Sequence, residues 1–249
     1  MTTVGMLIDL TRCKGCKACV YACKEQNNLP SDNPTQLGAH TWVAVQQKES
    51  TYVRKQCMHC IDPACVSVCP VAALQKQKNG PVTYDEDRCM GCRYCMMACP
   101  FQIPKYEWAQ TQPRVQKCIL CAETRLKHNK QPACTEICPT QAAIFGDREK
   151  LILEAQTRIR NHPKRYVNHI YGLKEVGGTS VLYLSAVPFA QLGFPTGIET
   201  EPYPRLTWNV LSQIPNVLAV GGTLMLGLWW ISNRKEKVAR EETSHKQEA

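Results

Sequence analysis

Sixteen cysteines fall into four groups of four, and their spacing points to metal chemistry. The first quartet is Cys13-x2-Cys16-x2-Cys19-x3-Cys23, and the second is Cys57-x2-Cys60-x4-Cys65-x3-Cys69-Pro70. The third is Cys89-x2-Cys92-x2-Cys95-x3-Cys99-Pro100, and the fourth is Cys118-x2-Cys121-x12-Cys134-x3-Cys138-Pro139. Three chemistries compete for such a set. Disulfides need an oxidising fold, and CxxCxxC runs crowd thiols too closely to pair without ambiguity. Zinc prefers CxxC pairs with long spacers. The second and fourth quartets alone could pass for zinc sites, but the first and third could not. Four [4Fe–4S] clusters account for all sixteen thiols.

The spacing has a mechanical reason. A tight loop wraps three thiolates around one cubane, and the fourth cysteine, a helical turn onward, points away from it. The third quartet is the bacterial ferredoxin run, in which that fourth cysteine serves the neighbouring cluster. Gly15 and Gly91 let the backbone approach the sulfurs. Pro70, Pro100 and Pro139 redirect the chain after the last ligand. His59 lies between two ligands of a complete quartet and is not expected to be a ligand itself.

An internal repeat indicates which quartets share a unit. Asp9-Leu-Thr-Arg12-Cys13-Lys-Gly15-Cys16 matches Asp85-Glu-Asp-Arg88-Cys89-Met-Gly91-Cys92, so the first quartet resembles the third. Pro63-Ala-Cys65-x3-Cys69-Pro70 matches Pro132-Ala-Cys134-x3-Cys138-Pro139, so the second resembles the fourth. The second and third are joined by Ala73–Gln77, a Lys78-Asn79-Gly80 turn and Pro81–Asp85, which reads as a β-hairpin. Quartet, hairpin, quartet is a two-cluster ferredoxin, covering about residues 51–110. Val4–Asp9 before the first quartet and Ala142–Gly146 after the fourth look like two halves of the same hairpin. An outer unit, residues 1–50 with 111–147, then encloses the inner one. Exchange of the fourth cysteine gives four ligand sets. They are Cys13, Cys16, Cys19 and Cys138; Cys118, Cys121, Cys134 and Cys23; Cys57, Cys60, Cys65 and Cys99; and Cys89, Cys92, Cys95 and Cys69. The rival is sequential pairing, first with second and third with fourth. Two abutting two-cluster units imply a line of four redox centres, and such a line with no substrate pocket is a wire.

The elements that position these residues must come from a chain of 249 residues, enough for one or two domains. Lys plus Arg exceeds Asp plus Glu by 30 − 21, a formal +9. Four clusters with their thiolates contribute about −8, so the loaded protein is close to neutral and the basic charge is poor evidence for nucleic acid. Arg12, Lys14, Lys17, Arg88, Arg93 and Lys117 flank ligands and either offset cluster charge or are solvated surface residues. Mean hydropathy of −0.31 rules out a polytopic membrane protein but leaves room for one span.

Beyond the cysteines, Asp147 is placed to cap a helix running to about Arg160, with Leu151, Ile152, Ala155 and Ile159 on one face and Pro163 beyond its end. Residues 166–200 lack clean periodicity and read as an extended arm, so that 148–205 forms a helix and a partner-contacting arm. Leu206 to Asn233 is a run of 28 residues without a charge. A membrane helix needs about 20, and the span is expected near 211–231. Trp208 and the Trp229-Trp230 pair sit where interfacial aromatics belong. Ala219, Thr223 and Gly227 form a small-residue ridge that another helix could approach. Arg234, Lys235, Lys237, Arg240 and Lys246 in the tail, 234–249, outweigh Arg205 ahead of the span. The positive-inside rule therefore puts the C-terminus in the cytoplasm and the cluster domain on the periplasmic side of the inner membrane. Met1 leads straight into the first strand with no room for an export signal, so the domain is expected to cross already folded, carried by a partner.

These residues resemble the four-cluster electron-transfer subunits of membrane-bound formate dehydrogenase of the nitrate-inducible type and of membrane-bound [NiFe] hydrogenase of the hydrogenase-2 type. The likeness rests on the four quartets in order, the Cys57-Met-His59-Cys60-x-Asp-Pro-x-Cys65 run, the Gly177-Gly178-Thr179 to Pro188 segment and the C-terminal anchor. It implies the nested pairing with crossed fourth ligands. It also implies a catalytic subunit on one side, either a [NiFe] hydrogenase or a molybdopterin formate dehydrogenase, and an integral quinone-reducing subunit on the other. Tyr183-Leu-Ser and Leu192-Gly-Phe-Pro195 resemble the hydrogenase type, whereas hitchhiking export belongs to the formate dehydrogenase type. Cys23 is followed by Lys24 rather than Pro, which changes the chain's exit but not the ligand set. The expected fold is α+β: two interleaved ferredoxin-like units and one transmembrane helix. The expected function is electron relay without catalysis, in contact with membrane lipid. A soluble polyferredoxin would need the 206–233 run to be a core helix, and a self-contained enzyme would need a substrate site that the sequence does not offer.

Overall fold

The computed structural model describes residues 3–31, 35–111 and 113–247; Met1 and the last two residues of the basic tail lie outside them. The chain divides into two units, Met1–Pro204 and Arg205–Ala249. The strands are β1 (Val4–Asp9), β2 (Ala44–Lys48), β3 (Thr51–Lys55), β4 (Leu74–Lys76), β5 (Val82–Tyr84), β6 (Lys105–Tyr106), β7 (Val115–Gln116), β8 (Ala143–Asp147) and β9 (Val181–Leu184). The helices are α1 (Ala18–Gln26), α2 (Ala64–Ser67), α3 (Tyr94–Ala98), α4 (Ala133–Glu136), α5 (Arg148–Asn161), α6 (Tyr203–Leu211) and α7 (Ile214–Gln247). This is the mixed helix and strand content expected of the sequence.

Both expected hairpins form. β4 pairs antiparallel with β5, Leu74 opposite Tyr84 and Lys76 opposite Val82. β1 pairs antiparallel with β8, from Val4 opposite Asp147 to Ile8 opposite Ala143, although the two strands come from opposite ends of the cysteine-rich region. β1 is buried along both faces, with Met6, Leu7 and Ile8 at 1% exposure or less. Such two-sided burial requires cover on each face and a second edge partner.

That partner comes from the segment read as an arm. β9 adds to β1 in parallel, Met6 opposite Val181 and Asp9 opposite Leu184, completing a sheet ordered β8-β1-β9. All four β9 residues are buried. The sequence read this stretch as extended but missed its strand, because β9 is covered on both faces and carries no alternation of polar and apolar residues. Its aromatic neighbours interlock: the Tyr171 ring lies 4.9 Å from Phe194 and 5.0 Å from Phe189, and Tyr183 lies 5.0 Å from Phe194.

α5 starts where expected. The Asp147 carboxylate caps it by accepting from the Glu149 and Lys150 amides at 3.0 and 3.1 Å. Its inner face, Leu151, Ile152 and Ala155, packs with Leu7, Leu182 and Leu184. Asp9, fully buried, ties the sheet to this helix and to the arm through Arg158 Nη1 at 3.1 Å and the Tyr166 hydroxyl at 2.8 Å.

The second unit is helical. The stretch Tyr203–Arg240 is long and apolar enough to cross a membrane, and none of its apolar window is buried. A soluble core helix would bury that window. The chain breaks between α6 and α7 at residues 212 and 213, inside the span as read from sequence. α7 continues past the apolar run into the basic tail, where Glu236 and Arg240 face each other one turn apart.

Candidate metal centres

The repeat seen in sequence is repeated in backbone conformation. Gly15 and Gly91 adopt φ of +70° and +71°, and Lys17 and Arg93, two residues on, adopt 58° and 66°. These left-handed residues turn the chain back tightly enough to bring the first two thiols of each run beside the third, which rides on α1 or α3. The glycines are required. A Cβ at Gly15 would sit 2.4 Å from the Tyr52 ring, and one at Gly91 would sit 2.7 Å from the Pro113 carbonyl. The second and fourth quartets share a different signature. His59 and Leu120 take φ of 48° and 58° between the first two cysteines, and Ala72 and Gln141 take 50° and 49° after the last. Pro63 and Pro132 start the short helices α2 and α4 that carry Cys65 and Cys134.

The helices that carry the thiols pack in pairs. α1 packs on α4, and α2 on α3. One cavity is lined by Cys13, Cys16, Cys19 and Cys138, with Arg54 on its wall. Another is lined by Cys69, Cys89, Cys92 and Cys95. In each, three thiols come from a CxxCxxC run and one is the last thiol of a different quartet. The remaining eight are gathered inside the core. Cys23 lies near Cys121 and Cys134, and Cys118 near Cys23 and Cys134. Cys60 is surrounded by Cys57, Cys99 and Cys65.

Thiols of different groups also lie within electrostatic reach of one another: Cys19 of Cys134, Cys118 of Cys57, and Cys65 of Cys95. Among the described residues, no three His, Cys, Asp or Glu side chains converge as ligands of a single ion would. A cubane binds each thiolate to a different iron and needs its donors spread around a cavity.

The donor chemistry fits such a group. Burial pushes the Cys19 and Cys95 thiols up to about 11 and Cys65 to about 12, and drives Cys60 and Cys118 well above the ordinary thiol value. Packed like-charged neighbours add to the rise. Left as apo-thiols these groups resist ionisation, and a metal that binds the thiolate would overcome that resistance. Near the surface the balance reverses. Burial also opposes ionisation of Cys89 and Cys138, yet the nearby Tyr84 hydroxyl and the Val115 and Gly91 amides at the first, and the Ala143, Thr140 and Ala142 donors at the second, lower their pKa values. Other amides point at sulfur in the same way, Ala73 N–H to Cys69 at 3.2 Å and Leu120 N–H to Cys118 at 3.4 Å. Such donors tune cluster potentials.

The basic residues flanking the ligands divide. Lys117 is buried and donates to the Val82 and Cys118 carbonyls at 2.5 and 3.0 Å. Lys14 and Lys17 line the first cavity. Arg93 stacks over Tyr106 and Trp108 at 5.3 and 5.4 Å, and Arg88 forms an exposed pair with Asp85. His59 is fully buried, and its Nδ1 accepts the Val82 N–H at 2.9 Å. The segment Gly178–Val181 has a positioning role that sequence alone did not reveal. It hydrogen-bonds along the second quartet's loop, Ile61 N–H to Gly178 O at 3.0 Å, Ser180 N–H to His59 O at 3.0 Å and Val181 N–H to Met58 O at 3.1 Å. Sequence reasoning also missed Arg54, a buried cation on β3, because that strand lies between quartets and bears no motif.

Residues 48–148 match the family described as a 4Fe-4S dicluster domain. A protein of Nitratidesulfovibrio vulgaris is 42% identical over 256 residues, covering 96% of this chain and 69% of its own length. The hydrogenase-2 operon protein HybA of Escherichia coli O157:H7 is 40% identical, covering 90% of this chain and 84% of that protein. The nitrate-inducible formate dehydrogenase iron-sulfur subunit of Escherichia coli K12 is 37% identical over 73% of this chain and 67% of its own length. With its ferredoxin-like thiol loops, the chain belongs to the iron–sulfur protein family that includes HybA and the formate dehydrogenase iron-sulfur subunits.

Proposed function

We propose that this chain is a non-catalytic electron-transfer subunit that carries four [4Fe–4S] clusters. Cluster 1 is held by Cys13, Cys16, Cys19 and Cys138, and cluster 2 by Cys118, Cys121, Cys134 and Cys23. Cluster 3 is held by Cys57, Cys60, Cys65 and Cys99, and cluster 4 by Cys89, Cys92, Cys95 and Cys69. The observation that carries this reading is the pair of cavities in which a CxxCxxC run is completed by the last thiol of another quartet. Each cluster supplies one-electron redox chemistry when bound. The protein's own part is to keep neighbours adjacent, to exclude water from the inner thiols and to set potentials through the amides aimed at sulfur.

The thiol contacts support the order 1, 2, 3, 4 along one line. Its ends reach outward, with Cys16 exposed at one end and Cys89 and Cys92 partly exposed at the other. That is the layout of a conductor between two partners. The names of the relatives support a hydrogenase or a formate dehydrogenase as the catalytic partner. The exposed apolar helix supports a single-pass membrane anchor, and in this reading its neighbour is an integral, quinone-reducing subunit of the inner membrane. The flanking charges favour a cytoplasmic C-terminus and a periplasmic cluster unit. Iron and acid-labile sulfide analysis of anaerobically purified protein tests the reading. About sixteen irons per chain are expected; zinc, or far fewer irons, overturns it.

A further inference from the structure

We propose that Arg54 is a potential-setting residue shared by clusters 1 and 2, raising the reduction potentials of both above those of an otherwise equal pair. The proposal rests on the ligand sets given above.

Arg54 is 3% exposed, on a strand whose other side chains are mostly ordinary for a ribbon. Arg54 forms part of the wall of the cavity lined by Cys13, Cys16, Cys19 and Cys138. It lies within electrostatic reach of Cys13 and Cys19 on that side and of Cys23 and Cys134 on the other. It therefore stands between two of the four thiol groups.

Its hydrogen bonds explain its aim. Nη2 donates to Gln56 Oε1 at 2.5 Å and leans on Met6 Sδ at 3.6 Å, while Gln56 Nε2 donates to the same sulfur at 3.4 Å. This clamp fixes one edge of the guanidinium. Nε and Nη1 are buried without a hydrogen-bond partner, although the group lies close to the Cys134 sulfur. The groups that most favour its charge are Cys134, Cys19 and Tyr183, and none is a carboxylate.

A buried cation without a carboxylate partner is costly unless an anion fills the space before it. A cluster with four thiolates is such an anion, and it becomes more negative when it gains an electron. No bond is made or broken in that step. The fixed charge of Arg54 therefore favours the reduced form, and its unpartnered N–H groups are left to donate to sulfur. Arginine suits the post because it holds its charge at every relevant pH.

Redox titration followed by cluster-resolved EPR, on the full chain in its membrane complex, tests the idea. In Arg54→Gln the potentials of clusters 1 and 2 are expected to fall enough to change the oxidised-to-reduced ratio at least tenfold, about 59 mV for one electron. Clusters 3 and 4 should hold their values. Arg54→Lys should recover most of the shift. Gln56→Glu, which neutralises the cation without removing it, should lower the same two potentials. Unmoved potentials for clusters 1 and 2 in Arg54→Gln overturn the proposal; should that variant fail to load iron, unmoved potentials in Gln56→Glu do so. Iron content separates the two readings. A wild-type chain lacking its irons overturns the cluster assignment itself, whereas full iron with unmoved potentials overturns the role of Arg54 alone.

Discussion

Cys23 on α1 lies within electrostatic reach of Cys134 on α4, where the two helices pack, so the last thiol of the first quartet acts on the third thiol of the last. Cys23 is four residues beyond Cys19, one helical turn onward, and the packing of α1 on α4 delivers it to another group. Cys23→Ser is therefore expected to perturb the EPR signal of the cluster held by Cys118, Cys121 and Cys134, while the signal assigned through Cys13 stays unchanged. A change confined to the Cys13 cluster would refute the crossed assignment.

Gly15 offers a test of the loop mechanics. Gly15→Ala meets both a left-handed backbone and the Tyr52 ring. The backbone alone costs about 1–2 kcal/mol. Loss of iron equivalent to one cluster is expected, with the other clusters retained. Adding Tyr52→Ala removes the clash but not the φ strain and should restore only part of the lost iron. Full loading of the single variant would show that the loop tolerates a Cβ.

Asp9 joins β1 to α5 and to the segment preceding β9 through Arg158 and Tyr166. Asp9→Asn keeps the shape but removes a buried charge that accepts these bonds. A loss of roughly 2–3 kcal/mol is expected, measured by denaturant unfolding of the iron-loaded protein under anaerobic conditions. A change under half that size would mean that solvent replaces the carboxylate readily.

Removal of the metal should unfold the first unit. The ribbons β4-β5 and β6-β7 have only two or three residues per strand, too short to hold without added cross-links. The buried thiols then take up protons and lose the metal that ties them together. Oxidative cluster destruction with a chelator is expected to abolish the cooperative thermal transition of this unit, while the helical circular dichroism of α7 persists in detergent. Retention of a native-like transition would mean that the apolar core alone suffices.

Protease added to spheroplasts is expected to degrade the cluster unit and spare the basic tail if the chain takes the proposed orientation. Protection of the cluster unit would reverse the orientation.

Several features were legible without coordinates, and each is local. The paired glycines of the CxxCxxC runs, the Asp147 cap of α5 and the Lys78-Asn79-Gly80 turn between β4 and β5 depend on residues within a few positions of one another. The pairing of β1 with β8 is a long-range contact that the sequence yielded alongside the crossed thiol sets, because the internal repeat allowed it to be read from β4 and β5. β9 left no such trace. Its all-apolar Val181–Leu184 run is shared by many buried segments, and its partner is chosen only when both faces of β1 are covered.

The sequence by itself determined the number and grouping of the thiols, their local loops and the apolar helix, because spacing along the chain dictates geometry over one or two turns. Tertiary structure alone decided that Cys19 lies within electrostatic reach of Cys134, Cys118 of Cys57 and Cys65 of Cys95. It also decided that an unremarkable arginine on β3 is sealed among thiols. Contacts of that kind join residues far apart in the chain, and they arise from packing density and desolvation, which no local spacing records.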